Sequence, residues 1–268
     1  MPPTATGTPR LRPAKRSRAG QRVLRIACWS GPRNISTAMM RAWENRTDTA
    51  VTDEPLYAHY LAETGTEHPG RDEVIERGEC DWRRVVHTLT GPVPGGKPIW
   101  YQKHMTHHLL PEIARGWLAG MVNCFLIRDP VDVLLSCSRA REPDSAEEIG
   151  FPQQAEIFDA VCDETGDVPV VIDAGDFLRN PEGLLRAWCA RLEIAFDERM
   201  LRWPSGRRDS DGVWAPHWYG AVERSTSFEP WRARSGTLSP SLQPLLDECL
   251  PHYQHLHAHR LLAPAANG

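Results

Sequence analysis

Short apolar runs alternate with stretches of helical spacing along residues 23–262. Five runs rich in β-branched and aromatic residues are predicted to be strands: 23–29, 49–52, 98–103, 122–127 and 168–173. Between them, apolar residues recur every three or four positions, which is typical of one face of a helix. The predicted helices cover 36–45, 56–62, 72–89, 106–117, 130–138, 147–165, 181–192 and 240–257. Because the strands are continuous apolar runs that alternate with helices, the pattern predicts a single α/β domain over 23–262. This domain has three layers, with a central, mostly parallel sheet flanked by helices.

Residues 1–22 differ from the rest of the chain. They contain six cations and no acid, are rich in Pro, Thr and Arg, and lack an apolar run. We expect a disordered basic tail here and not a secretory signal. The remainder carries 25 basic and 35 acidic residues. Its net charge near −10 argues against non-specific binding of nucleic acid.

Hydropathy and cysteine usage indicate the cellular setting. No apolar stretch approaches the roughly 18 residues of a membrane span, so no such span is predicted. The seven cysteines form no CxxC pair, and several fall within apolar runs. This usage fits reduced thiols and a cytoplasmic location. These features do not indicate an oligomeric state.

The predicted fourth strand stops at Arg128-Asp129-Pro130, where a helix pattern begins. Asp129 suits the helix cap and Pro130 the first helical turn. Open α/β sheets bind ligands at the carboxyl ends of their strands, which is where Arg128 stands. Its planar guanidinium can hold a phosphate, and Ser136, two turns into the helix, can add a hydroxyl. The alternative is an arginine–aspartate pair that only caps the helix.

The first predicted strand ends in a comparable turn within residues 28–40. A turn from strand to helix directs backbone N–H groups and the positive helix end at a bound anion. Arg33, Ser36 and Thr37 add side-chain donors. No lysine occurs in this turn, so the pattern GxxxxGK[ST] is absent, and an ordinary capped turn is the alternative. In one sheet, the two turns would give two anion sites on one edge, suited to a ligand with two separated phosphates.

Both turns resemble motifs of the sulfotransferase superfamily, which has a P-loop-like fold and uses 3′-phosphoadenosine 5′-phosphosulfate (PAPS) as donor. Residues 32–37 are similar to the first motif, which holds the 5′-phosphosulfate, although Ile35 replaces its usual glycine. Residues 128–136 match the pattern RDPxDxxxS, which binds the 3′-phosphate. The resemblance implies that donor binding involves Arg33, Asn34, Ser36, Thr37, Arg128 and Ser136. Residues 227–236, with Arg234, are similar to a basic segment that closes over the 3′-phosphate; a solvated basic turn is the alternative.

A sulfotransferase needs a base for the acceptor hydroxyl. Glu54 follows the second strand, and a resemblance to tyrosylprotein and trehalose sulfotransferases implies that it is this base. The alternative is a histidine, since residues 101–105 are similar to the Lys-x-His segment of cytosolic sulfotransferases. His104 stands one position earlier than that family's base, and His107 lies further on. Lys103 would steady the transferring sulfonate, and Arg33 would neutralise the leaving oxygen.

The sequence therefore predicts an enzyme that moves a sulfonate from PAPS to a hydroxyl of a small-molecule acceptor, without a metal. Its expected catalytic residues are Glu54, Arg33, Lys103 and His104. Two alternatives stay open at this point. A P-loop kinase or NTPase would use the same architecture, although the missing GK[ST] counts against it. A catalytically silent nucleotide-binding protein would fit the departure at Ile35.

Overall fold

A computed structural model describes residues 23–263, so the predicted basic tail lies outside the described residues. The strands are β1 Leu24–Ser30, β2 Thr49–Asp53, β3 Ile99–Met105, β4 Val122–Ile127 and β5 Val170–Asp173. They form one sheet in the order β2-β3-β1-β4-β5, and every neighbouring pair is parallel. Because all strands run the same way, their carboxyl ends share one edge of the sheet. The predicted parallel sheet is confirmed.

The helices agree with most of the predicted segments. The longer ones are α1 Ser36–Glu44, α2 Tyr57–Thr64, α3 Arg71–Arg77, α4 Trp82–Thr90, α5 Pro130–Cys137 and α6 Phe151–Thr165. They are followed by α7 Ala174–Arg179, α8 Pro181–Arg191, the short α9 Ala215–Trp218 and α10 Gly220–Arg224, and α11 Gln243–His257.

The helices cover both faces of the sheet. On one face, α1 and α8 bury large side chains against β1 and β3, and Trp43 packs between Tyr101 and Trp188 at centroid distances of 5.5 and 4.9 Å. On the other face, α4, α6 and α11 pack on β1, β3 and β4 around Phe125 and Phe158. Ring pairs of this kind add about 0.5–1.5 kcal/mol beyond their buried area. This arrangement confirms a single three-layer α/β domain.

Two predicted helices are wrong in part. The segment 72–89 is two helices, because Gly78 leaves the helical conformation, with a φ of −94° and a ψ of 164°. Gly78 also packs so close to α2 that an added Cβ would sit 2.4 Å from Ala58 Cβ. Asp81 then caps α4 by accepting a hydrogen bond from the Arg83 N–H. The segment 106–117 forms only short 3₁₀ turns, at Thr106–His108 and Gly116–Gly120. Pro111 within it has no N–H to continue an α-helix.

Two further differences from the prediction have local causes. Helix α6 begins at Phe151 and not at residue 147, since Gly150 has a φ of 76°, which is left-handed and outside a right-handed helix. Helix α7 was not predicted. Asp173 ends β5 and caps α7 by accepting a hydrogen bond from the Asp176 N–H. Between residues 23 and 263, no helix is long and apolar enough to cross a membrane.

Candidate active site

The two turns identified in the sequence meet at the carboxyl edge of the sheet. Strands β1 and β4 are neighbours in parallel register, with Ser30 opposite Leu126, so the turns that follow them lie side by side. Arg128 Nη1 donates to the backbone carbonyl of Arg33 at 2.6 Å. Arg33 Nε donates to Ser136 Oγ at 3.0 Å. Both guanidinium groups and the Ser136 hydroxyl are therefore in one place.

Asn34 holds the first turn against β4. Its Nδ2 donates to the Leu126 carbonyl at 2.9 Å, and its Oδ1 accepts from the Ile35 N–H at 2.8 Å. Arg33 has a φ of 56°, a left-handed conformation that is rare for a residue with a side chain. Such strain concentrates at functional sites, where surrounding contacts maintain it.

Helix α1 presents its amino end to this turn. Its cap residue Ile35 makes no side-chain hydrogen bond, and its first turn contains no acidic residue. Ser36 is buried and Thr37 is half-buried at this end. The first N–H groups of a helix have no partner within the helix and carry partial positive charge, so this end favours an anion.

A segment from the C-terminal part of the chain lies against the second turn. Arg234 Nη2 is 2.7 Å from Asp129 Oδ1, and its Nε donates to Asp132 Oδ1 at 2.8 Å. Gly236 follows with a φ of 106°, which favours glycine. The basic segment is therefore in contact with the helix that carries Ser136.

Glu54 stands at the end of β2, on the same edge of the sheet. Its N–H donates to the Lys103 carbonyl at 2.9 Å and continues the β2–β3 ladder. Its φ is 39°, and its side chain is only 11% exposed. Lys103 Nζ donates to Glu54 Oε1, to Asp53 Oδ1 at 2.9 Å and to the Tyr219 hydroxyl at 2.8 Å. An ammonium group has three N–H donors, and all three are used here.

Tyr219 completes this buried network, and no sequence motif marks it as a site residue. It lies between α9 and α10, in the aromatic-rich segment 212–220. Such a segment is as consistent with core packing as with a binding pocket. Its hydroxyl donates to Asp53 Oδ2 at 2.7 Å and accepts from Trp214 Nε1 at 3.2 Å. The Gly212 N–H also donates to Asp53 Oδ2, at 3.3 Å. Only the tertiary structure brings this segment to β2.

The network sets the protonation of its members. Burial raises the pKa of Glu54; the Lys103 ammonium opposes this effect, and the charge of Asp53 adds to it. Burial alone would lower the pKa of Lys103, but the carboxylates of Asp53 and Glu54 hold it well above its usual value. Lys103 is therefore charged, and Glu54 is a carboxyl group that takes up a proton more readily than one in water.

His104 lies on the opposite face of β3 from Lys103, because successive side chains of a strand alternate. Its ring stacks on Trp29 with 4.4 Å between centroids, and its Nε2 is 3.3 Å from Gln102 Oε1. Burial, with the Lys103 charge, lowers its pKa to about 3. The structure thus separates His104 from Glu54. Burial also lowers the pKa of His107 to about 3. Within residues 23–263, no group of three or more His, Cys, Asp or Glu side chains could hold a metal ion.

Comparison with known proteins gives related sequences and a related fold. Branched-chain-amino-acid aminotransferase-like proteins 2 and 1 of Arabidopsis thaliana are 36% and 38% identical to this chain over 234 residues. Those residues are 87% of this chain but 41% and 42% of the two relatives, so the chain spans less than half of their length. The crystal structure of a sulfotransferase from Alicyclobacillus acidocaldarius superposes with a TM-score of 0.52 at 15% identity, covering 89% of this chain and 97% of that one.

The family itself follows from the sequence model that the chain matches. The model describes a sulfotransferase domain, and the match runs over residues 24–260. It includes the two arginine-bearing turns, the Glu54–Lys103 network and the segment with Tyr219. The chain therefore belongs to the sulfotransferase domain family.

Proposed function

We propose that this protein transfers a sulfonate from PAPS to a hydroxyl of a small-molecule acceptor. The observation that carries the proposal is the meeting of the Arg33 and Arg128 turns through direct hydrogen bonds. Two cationic groups of this kind suit a ligand with two anionic ends. Membership of the sulfotransferase domain family supports the reaction type.

Donor binding is assigned to the two turns. Arg128 and Ser136 bind the 3′-phosphate, while Arg33, Asn34, Ser36, Thr37 and the amino end of α1 bind the 5′ side. In the structure Arg33 donates to the Ser136 hydroxyl and Arg128 to the Arg33 carbonyl, both of which are neutral oxygens. Charged phosphate oxygens are stronger acceptors, and each such hydrogen bond contributes roughly 1.5–3 kcal/mol.

In the reaction, the acceptor oxygen attacks the sulfur of the donor. The bond between sulfur and the bridging oxygen breaks, and 3′-phosphoadenosine 5′-phosphate leaves with that oxygen. Glu54 takes the proton of the acceptor hydroxyl, a role that contributes about 10²–10⁴ to the rate. Arg33 neutralises the charge that develops on the bridging oxygen, as in phosphoryl transfer.

Lys103 has a different role in this proposal from the one expected from the sequence. Its three donors are bonded to Asp53, Glu54 and Tyr219, and its side chain is only 2% exposed. We therefore assign it to the support of Glu54 and not to the transferring sulfonate. His104 has no role in the proposed chemistry, because it lies on the other face of β3.

Calorimetry tests the donor assignment. 3′-Phosphoadenosine 5′-phosphate should bind, and adenosine 5′-monophosphate, which lacks the 3′-phosphate, should bind at least tenfold more weakly. If ATP binds more tightly than 3′-phosphoadenosine 5′-phosphate and is hydrolysed, a kinase or NTPase is favoured instead. A labelled-donor assay over a panel of hydroxylated metabolites then tests transfer. Binding without transfer to any acceptor in the panel would favour a silent nucleotide-binding protein.

Substitution of Glu54 tests the proposed base. Glu54→Gln keeps the shape of the side chain but removes its basicity, so turnover should fall by about 10²–10⁴ while binding of 3′-phosphoadenosine 5′-phosphate stays the same. Glu63→Gln, at an exposed position of α2, serves as the matched control. Normal turnover with weakened nucleotide binding would rule out Glu54 as the base.

A further inference from the structure

His108 lies beside Glu54 on the side of the carboxylate away from Lys103. Its Nδ1 is 3.9 Å from Glu54 Oε2, whereas Lys103 binds Oε1. The His108 ring is 2% exposed, and its Nδ1 has no hydrogen-bond partner among the described residues. The two oxygens of Glu54 are therefore faced by two different nitrogen groups, of which only Lys103 is in bonding contact.

Aromatic neighbours hold the His108 ring in a fixed plane. Tyr57 stacks on it with 4.6 Å between centroids and 4° between planes. Tyr60 lies at 4.7 Å and 28°, and His107 meets it edge-on at 4.5 Å. These contacts hold the plane of the ring in which Nδ1 faces Glu54 Oε2. A small rotation of the Glu54 carboxylate is the change that closes the gap.

The chemistry of the two groups makes them suitable partners. Burial lowers the pKa of His108 well below its usual value, so the ring is neutral and only one of its nitrogens carries a proton. A buried polar atom without a partner costs about 1–3 kcal/mol, and a carboxylate oxygen is a strong acceptor. At 3.9 Å the contact is too long for a hydrogen bond. Catalytic hydrogen bonds are often long in the free enzyme and shorten when substrate is bound.

We propose that His108 is a positioning residue that donates its Nδ1–H to Oε2 of Glu54 once the nucleotide is bound. With Lys103 on Oε1, this bond fixes the plane of the carboxylate. The second lone pair of Oε2 then faces the acceptor hydroxyl. The inference rests on the proposed role of Glu54 as the base.

Other charged and titratable groups surround this pair. Asp53 and Lys103 face Glu54 from β2 and β3, and Tyr219 faces it from the segment between α9 and α10. On the His108 side, the charges of His107, Lys103, His68 and His104 act on the imidazole. None of these groups changes in the substitutions below, with the exception of His107 as the control.

Two replacements of His108 distinguish the effect of its Nδ1 donor from the effect of its aromatic ring. His108→Phe keeps an aromatic ring against Tyr57 and Tyr60 but has no nitrogen. His108→Asn loses the ring but places its amide Nδ2 where the Nδ1 of histidine stands. His107→Phe removes an equally buried Nδ1 without a partner, one residue away, and is the matched control. Near-ultraviolet circular dichroism establishes that each variant is folded.

The first readout needs no acceptor. Carbon-13 NMR follows the titration of Glu54 in protein bound to 3′-phosphoadenosine 5′-phosphate, its resonance identified by its disappearance in Glu54→Gln. Loss of a donor to the carboxylate should raise the Glu54 midpoint by about one pH unit in His108→Phe, but not in His108→Asn or His107→Phe. Equal midpoints in the wild type and His108→Phe would overturn the proposal. A shift of the same size in His107→Phe would do so as well.

The second readout is the labelled-donor assay. His108→Phe should lower kcat at least tenfold with KM for the donor unchanged, and His108→Asn should recover most of that loss. A merely structural ring would give the opposite order, with Phe active and Asn impaired. If His108→Phe does not fold, His108→Gln replaces it, because its amide lies one carbon further from the backbone. Equal kcat in the Asn and Gln variants would overturn the proposal. Failure of the wild type to bind the nucleotide would instead refute the proposed function.

Discussion

Arg128 donates to the Arg33 carbonyl, and its assignment to the 3′-phosphate leads to a prediction for this single residue. Arg128→Ala should weaken the binding of 3′-phosphoadenosine 5′-phosphate by roughly 1.5–3 kcal/mol, which is about a ten- to hundredfold loss of affinity. Adenosine 5′-monophosphate should lose much less affinity, because it lacks the contacted group. Calorimetry with both nucleotides measures the difference, and exposed Arg77→Ala is the control. Equal losses for both nucleotides would refute the assignment.

The protonation of Glu54 is also decided by single residues. Only the carboxylate can accept a proton, and burial raises its pKa above the usual 4.5. As the pH falls through that raised pKa, kcat should fall. Tyr219→Phe removes a hydroxyl 3.4 Å from Glu54 Oε1 that favours the charged form. The midpoint of the kcat–pH profile should therefore move up, by about one pH unit or less. A midpoint that moves down contradicts this account of the network.

At the scale of elements, the site depends on how the turn after β1 is attached to β4. Asn34 makes this attachment through Leu126. In Asn34→Ala the Leu126 carbonyl keeps a partner, since Gln154 Nε2 also donates to it at 3.1 Å. The free energy of unfolding in urea should therefore fall by only about 0.5–1.5 kcal/mol. Affinity for 3′-phosphoadenosine 5′-phosphate should fall about tenfold, because the turn loses its fixed position. Unchanged affinity would show that the turn keeps its shape without Asn34.

At the scale of the whole molecule, a buried ion pair joins the two parts of the chain that build the site. Arg41 Nη1 of α1 lies 2.6 Å from Asp211 Oδ1, and Arg41 Nη2 donates to Asp211 Oδ2 at 2.7 Å. The two side chains are 1% and 0% exposed. Asp211 precedes the segment that carries Trp214 and Tyr219. The pair therefore links the helix of the first turn to the network around Glu54.

Breaking this pair should destabilise the protein strongly. Asp211→Ala leaves the buried guanidinium of Arg41 with only the longer contact to Glu44, at 3.6 Å, and the free energy of unfolding in urea should fall by about 3–5 kcal/mol. The double variant Arg41→Met, Asp211→Leu should recover much of this loss, because an apolar pair has no charge to desolvate. The exposed Arg77–Glu73 pair is the control, and Arg77→Ala should cost at most about 1 kcal/mol. A double variant as unstable as Asp211→Ala would contradict the argument.

Local patterns were sufficient for most of the fold. Each strand was predicted within about two residues, because buried parallel strands are apolar on both faces and the pattern does not depend on distant contacts. The helix expected over 106–117 was wrong. The segment has helical apolar spacing, but it also contains Pro111, which interrupts an α-helix, and histidines that are buried. The break at Gly78 has local signals, since a glycine ends α3 and Asp81 caps α4, but the regular apolar spacing over 72–89 outweighed them in the prediction.

Local sequence patterns were enough to predict the parallel sheet, the two arginine-bearing turns and the position of Glu54 at a strand end. These features follow from local periodicity and from the rule that parallel strands share a carboxyl edge. The tertiary structure was needed to show that Lys103 is bonded to Glu54 and that β3 continues past residue 103, which places His104 on its opposite face. It alone brought Tyr219 and His108 to the same carboxyl group. Burial and the charges of distant residues set these contacts and pKa values, and neither can be read from neighbouring positions in the chain.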